Sequence, residues 1–209
     1  LASLETDGFN ARSDDVGPSA DDDGYRNTSG HVTGRLRLSD QVHVFATLHD
    51  IDGENDYDGC FDASFNSSNR CVDEYRQRAW RVAAGLDTQT SQHELAVSVS
   101  DTERNFLTDN SVTYATEGRT EQANLIGSWQ LPASLRWTYG IEATEQSFAD
   151  GFNDGQRENA GIYTELMHSR ESSSLSVGVR HDDNEDFGNF TSWRATGRYA
   201  TDFWDRQLT

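Results

Sequence analysis

Acids stand at every second position in the stretch DIDGENDYDGC, which supplies Asp50, Asp52, Glu54, Asp56 and Asp58. In an extended chain alternate side chains point one way, about 7 Å apart. At that distance and an effective dielectric of about 20, neighbouring carboxylates repel by roughly 2 kcal/mol. A bound cation relieves that repulsion. Several carboxylates with backbone carbonyls and a tyrosine form a hard-oxygen set, which suits Ca²⁺ better than softer metals. The order Glu54-x-Asp56-x-Asp58-Gly59 imitates the first half of an EF-hand loop, but Phe65 stands where the bidentate glutamate belongs. The expectation is therefore calcium without an EF-hand, or a loop that is merely solvated. A second acidic cluster reads SADDDGY, Ser19 to Tyr25, and a third runs from Asp182 to Asp186. His43 and His49 share a strand face without a third ligand, so zinc is not expected. No Ser/His/Asp or Cys/His arrangement stands out, and the chain is read as a non-enzyme.

These carboxylates need elements to position them. The chain has 209 residues, with 36 acids against 17 basic residues, 17 glycines and 2 prolines. A net charge of −19 disfavours nucleic acid and anionic surfaces, and favours cations as partners. Period-2 alternation runs through most of the sequence. Val42, Val44, Ala46 and Leu48 alternate with His43 and Thr47, and Trp80, Val82, Ala84 and Leu86 with Arg81. Leu135, Trp137, Tyr139 and Ile141 oppose Arg136 and Thr138 in the same way. The pattern predicts an all-β, antiparallel up-and-down meander of about 9–10 long strands. Short turns are expected near Ser39-Asp40, Thr88–Gln92, Pro132-Ala133, Ser169–Ser173 and Thr201–Asp205, and long acidic loops at about 50–74, 102–111, 149–158 and 182–190. Short turns at one end and long loops at the other, with a polar second face, favour a transmembrane β-barrel over a soluble sandwich. Tyr75, Phe106, Tyr114, Phe148, Trp193, Phe203 and Trp204, near strand ends, are the expected interfacial aromatics. Cys60 and Cys71 lie in a polar stretch with no further zinc ligands, and a disulfide is expected over two free thiols.

The closing stretch from Val179 to Phe203 resembles a barrel segment of TonB-dependent outer-membrane receptors, through Arg180, Asp182-Asp183-Asn184, Phe187-Gly188, Thr191, Trp193, Gly197 and Tyr199. The amino-terminal third is similar to the cobalamin receptors within that family. There an aspartate precedes an Asp-x-Asp-Gly-aromatic motif by fourteen residues, and a Tyr-Asp pair follows one hairpin later; Asp7, then Asp21, Asp23, Gly24 and Tyr25, then Tyr57-Asp58 fill those positions. The resemblance implies that Asp7, Asp21, Asp23, Tyr57 and Asp58 bind calcium, with Asp73 standing in for a ligand that would fall near Cys71. It also implies a bacterial outer-membrane location in a Gram-negative cell, and a partial barrel over 1–209. Within it, 1–24 is an extracellular loop entering the first full strand and 50–74 a long loop with the cysteine pair. The partners implied are cobalamin or a similar nutrient chelate, outer-membrane lipid, and TonB through a plug domain not seen in this sequence; self-association through open edges is a further expectation. The competing expectation is a soluble secreted calcium-binding β-domain that grips a glycan or another protein.

Overall fold

A computed structural model describes residues 1–10, 22–203 and 206–208. Its strands are β1 (Ala2–Thr6), β2 (Tyr25–Arg37), β3 (Val42–Tyr57), β4 (Cys60–Phe61), β5 (Ser67–Ser68), β6 (Cys71–Asp87), β7 (Ser91–Thr108), β8 (Ser111–Leu131), β9 (Leu135–Ala149), β10 (Asp154–Arg170), β11 (Ser173–Asn184), β12 (Gly188–Tyr199), β13 (Thr201–Phe203) and β14 (Arg206–Leu208). Ten of them form one antiparallel sheet in the order β1-β2-β3-β6-β7-β8-β9-β10-β11-β12, each hydrogen-bonded to its neighbours in that order. β4 pairs with β5 in a small hairpin, and β13 with β14. The expected meander is what the chain forms.

The expected long loops are mostly strand. β3 continues to Tyr57 and β6 resumes at Cys71, so the connection within 50–74 shrinks to 58–70. Between β7 and β8 only Asp109 and Asn110 remain, both with φ in the left-handed region at 50° and 64°. That is the backbone of a two-residue hairpin turn whose twist matches its strands, and Asp and Asn tolerate it better than most residues. Likewise 150–153 and 185–187 are tight turns. The 21 residues of β8 reach roughly 70 Å, whereas about ten residues cross an outer membrane. The strands themselves therefore carry the acids out beyond the lipid.

The register shows where the lipid lies. On the outward face the apolar series of β3 ends upward at Leu48, paired with Val32 and Trp80, and Trp80 pairs with Val99. The next partners along that row are Glu121, Glu145 and Glu158. On β12 the last apolar outward residue is Trp193, and its row passes through Val179, Thr164, Tyr139, Gly127, His93 and Leu86 to Val42. The upper edge of the band thus falls from Leu48 to Val42, six residues of β3, over the seven strand-to-strand steps from β3 to β12. At about 3.3 Å per residue and about 4.8 Å per strand this is a tilt of roughly 30°, close to the ~35–45° of outer-membrane strands. Four tryptophans mark the band, Trp80 and Trp193 at its upper rim and Trp129 and Trp137, paired with each other, near its lower rim. All four are at least 40% exposed, as a lipid-facing girdle requires. Among the aromatics expected there, Trp193 is one of the four. Tyr75, Phe106, Tyr114 and Phe148 instead point inward above the band, Trp204 lies outside the described residues, and so does the side chain of Phe203.

Five glycines sit directly opposite a ring on the next strand: Gly53–Tyr75, Gly85–His43, Gly127–Tyr139, Gly140–Tyr163 and Gly155–Phe148. A Cβ on any of them would stand 2.3–2.5 Å from that ring. The missing side chain lets each ring lie flat along the sheet, which covers the exposed backbone and fixes register.

Candidate functional site at the extracellular end

Cys60 and Cys71 are disulfide-bonded, with Cα atoms 5.9 Å apart. The bond ties the 58–70 connection to the top of β6, and β7 and its turn hold it down. Thr108, 2% exposed, donates its hydroxyl to the Phe61 carbonyl at 3.0 Å, and the Asp109 N–H donates to the Arg70 carbonyl at 2.9 Å. Inside the connection Asp62 accepts from the Ser64 and Asn66 N–H groups at 2.8 Å and from the Asn66 side-chain amide at 2.9 Å. Those bonds, the Asn66 side chain foremost, hold the Asp62 carboxyl below the usual aspartate range.

The expected calcium ligands fall into two groups. Asp7, with Asp22, Asp56, Glu5 and Glu54, borders one cleft of about 270 Å³ between β1, β2 and the end of β3. Asp23 is placed beside it, its N–H donating to the Phe9 carbonyl at 3.3 Å. Tyr57 and Asp73 lie on the inward face instead, where Arg104 grips Asp73 through Nε at 2.7 Å and through Nη2. Burial, then the Asp73 charge, pushes the Tyr57 phenol up. Asp73 is 5% exposed and already neutralised by a guanidinium. Both carboxylate oxygens of Asp58 are shielded from solvent, and Asp21 lies outside the described residues. Among the described residues no three acids, histidines or cysteines converge closely enough to hold an ion. The carboxylates of Asp7, Asp22 and Asp56 are the hard oxygen donors a divalent cation takes, with Arg26 also lining the cleft on Glu54, whereas Asp73 is held by Arg104.

Much of the acidic row that begins at Asp50 is neutralised within the sheet. Arg78 Nε reaches Asp50 at 2.9 Å and Arg26 Nη2 reaches Glu54 at 2.6 Å, while Arg76 stands opposite Asp52 in register. Arg119 bridges Asp101 at 2.8 Å and Glu121 at 2.7 Å on the same outward face. The Asp182 to Asp186 run is divided too, with Asp182 held inward by Arg180 at 2.7 Å and Asp183 on the outward face beside Ala160. His43 meets Asp87 at 3.5 Å and His49 meets the edge of His31 with ring centroids 5.7 Å apart. Neither histidine gathers further ligands among the described residues.

The two faces differ in sign. The strand register points Arg35, Arg37, Arg81, Arg104, Arg136, Arg157, Arg180, Arg194 and Arg198 inward, against Asp73, Asp87, Glu94, Glu142, Glu165 and Asp182. Outward, above the band, acids dominate, including Asp50, Asp52, Glu54, Asp56, Glu74, Asp101, Glu103, Glu117, Glu121, Glu145, Glu158 and Asp183. Among the described residues only Arg26, Arg76, Arg78 and Arg119 accompany them there. Among the described strand residues the outward face above the band is therefore acidic, and the inward face is mildly basic.

The chain is 26% identical over 198 residues to the vitamin B12 transporter BtuB of Photobacterium profundum, covering 92% of this chain and 31% of that protein. Its fold matches the siderophore receptor PirA from Pseudomonas aeruginosa with a TM-score of 0.71 at 15% identity, over 87% of this chain and 31% of that one. A variant of the ferric enterobactin receptor PfeA from the same organism gives a TM-score of 0.72 at 15% identity, over 91% of this chain and 33% of that one. The chain has the antiparallel strand fold of these receptor barrels and resembles TonB-dependent outer-membrane receptors. No protein-family model matches it. It spans about a third of the length of these relatives. The wall sits in the outer membrane of a Gram-negative bacterium, and its relatives are transporters and receptors, not enzymes. Its tilted apolar band, tryptophan rims and polar inward face fit that placement, whereas a soluble sandwich needs its apolar face covered by a second sheet.

Proposed function

We propose that this wall forms part of a receptor for energy-coupled uptake of a scarce nutrient chelate, with cobalamin as the ligand and calcium ordering the extracellular strand ends. The observation that carries the cobalamin reading is the sequence similarity to a vitamin B12 transporter along nearly the whole chain. What supports calcium is the cluster of carboxylates from Asp7, Asp22 and Asp56 around one cleft, whose lining arginine, Arg26, is engaged by Glu54. The resemblance implies Asp7, Asp21, Asp23, Tyr57 and Asp58 as ligands, with Asp73 as a stand-in; of these, Asp7 borders the cleft and Asp23 lies beside it. Calcium there would neutralise mutually repelling carboxylates and reduce the ordering cost of ligand capture. TonB, acting through a plug domain, would supply the energy coupling.

The test is a calorimetric Ca²⁺ titration of chelator-stripped, micelle-refolded protein with Mg²⁺ as competitor, followed by cobalamin binding with and without Ca²⁺. Saturable Ca²⁺ binding, lost in Asp7→Ala and Asp23→Ala and kept in Asp183→Ala, with cobalamin retained only when Ca²⁺ is present, is the expected result. Folded protein that binds neither contradicts the reading.

A further inference from the structure

The inward face of β7–β10 near the extracellular end holds a block of unusual composition. Three register rows cross these four strands: Thr102–Gly118–Phe148–Gly155, Ser100–Thr120–Gln146–Arg157 and Ser98–Gln122–Thr144–Asn159. Arg157 is the one charge in them. Its Nη2 donates to the Gln146 side-chain oxygen. Among the described residues no carboxylate stands within ion-pair distance of it; Arg81, Arg104, Arg180 and Arg194 on the same face each hold one, and of the inward arginines without one Arg157 borders this cavity. The two upper rows border a cavity of about 530 Å³, with Asp186 at its edge. Phe148 lies across Gly155, where a Cβ would stand 2.3 Å from its ring, and leaves that ring 55% exposed.

We infer that Arg157, with the hydroxyls of Ser100 and Thr120 and the exposed ring of Phe148, forms a subsite for a ligand carrying a phosphate or carboxylate beside an apolar or aromatic body. The inference rests on the barrel-wall reading, which turns this face toward the lumen. A half-buried guanidinium without a carboxylate partner is the natural counterpart of a planar or tetrahedral oxyanion, because it offers several donors in a fixed fork. Ser100 and Thr120 present hydroxyl donors to the same side. The glycines beneath Phe148 keep the surface open next to the ring, where an apolar group can stack. At the height of these rows the acids of β7–β10 point the other way, with Glu121, Glu145 and Glu158 on the outward face, and the inward Glu94, Glu142 and Glu165 lie in lower rows. An anion approaching from inside is therefore not met by them at close range.

Phenyl phosphate is the probe, with benzoate as the carboxylate counterpart and benzyl alcohol as the uncharged control, titrated into the micelle-refolded chain and followed by ligand-observed NMR. Phenyl phosphate is expected to bind saturably and benzyl alcohol to bind at least about tenfold more weakly. Arg157→Gln should weaken phenyl phosphate by about tenfold or more, as loss of a charge-assisted pair does. Arg157→Lys should retain part of the affinity, and Phe148→Ala should remove the signal transferred to the phenyl protons. The circular dichroism strand signal confirms that each variant is folded. Benzoate binding as tightly as phenyl phosphate assigns the site to carboxylates as well, and binding of phenyl phosphate alone assigns it to phosphates. Unchanged affinity in folded Arg157→Gln, or equal binding of benzyl alcohol, overturns the subsite. The titration needs neither Ca²⁺ nor cobalamin, so phenyl phosphate binding without cobalamin binding would keep the subsite and discard the cobalamin reading.

Discussion

Arg104 decides the state of two expected ligands at once. It holds Asp73 with two donors on the inward face and lies close enough to Tyr57 to oppose the upward pull of burial on that phenol. Removing either partner of the pair has unequal consequences. Asp73→Asn leaves a guanidinium whose side chain is 50% exposed and can find water, so the expected cost is about 1–2 kcal/mol. Arg104→Ala strands a carboxylate that is 5% exposed, and roughly 3 kcal/mol is the expected loss. Urea unfolding of the refolded variants should show that order. In Asp73→Asn the Tyr57 phenol should also ionise at lower pH than in the parent, because a negative neighbour that opposed its ionisation is gone. Ultraviolet difference titration reads that shift, and no change in the tyrosine titration would disprove the contact.

At the scale of elements, the 58–70 connection is a small folded unit rather than a tether. Its disulfide closes a short loop, worth about 2–3 kcal/mol in chain entropy, and Thr108 and Asp109 pin it to the β7–β8 turn. Reduction of Cys60–Cys71 should speed amide exchange in 58–70 while β7–β10 stay protected, and uniform loss of protection would refute this independence. The Asp62 turn supplies a pH signature. Its folded carboxyl titrates below the ordinary aspartate range, so the stability it lends is complete above that range and is lost as pH falls through its folded value. Amide exchange at Ser64 and Asn66 should rise only at such low pH, and in Asp62→Ala it should be fast at neutral pH.

The strands were legible because apolar residues alternate along them, and so were the turns near Ser39-Asp40 and Pro132-Ala133. The loops were not. From Asp50 to Asp56 the period-2 pattern continues unbroken on the outward face, but its chemistry changes from apolar to acidic where the strand leaves the lipid. A change in solvent looked like a change in structure. The arginines that answer those acids come from β2 and β6, and only the register reveals them. The same holds for Arg157, whose lack of a carboxylate partner has no trace in the linear sequence. The resemblance named Asp7, Asp23, Tyr57 and Asp73 together, but only the register shows that Asp7 borders a cleft with Asp23 beside it while Tyr57 and Asp73 share another face.

For the whole molecule, one sheet separates an outward face, with a tilted apolar band and acids above it, from a mildly basic inward face, and every other property depends on that division. It sets which carboxylates meet solvent, which arginines face the lumen, and where a ligand can be held. The four outward tryptophans provide the most direct test. Single-tryptophan variants retaining Trp80, Trp129, Trp137 or Trp193, with the rest replaced by Phe, would be refolded into bilayers of lipids brominated at different acyl depths. All four should be quenched strongly by bromolipid and weakly by aqueous iodide, with Trp80 and Trp193 maximal in one leaflet and Trp129 and Trp137 in the other. Strong iodide quenching without bromolipid quenching, or four tryptophans at one common depth, would contradict the tilted barrel wall.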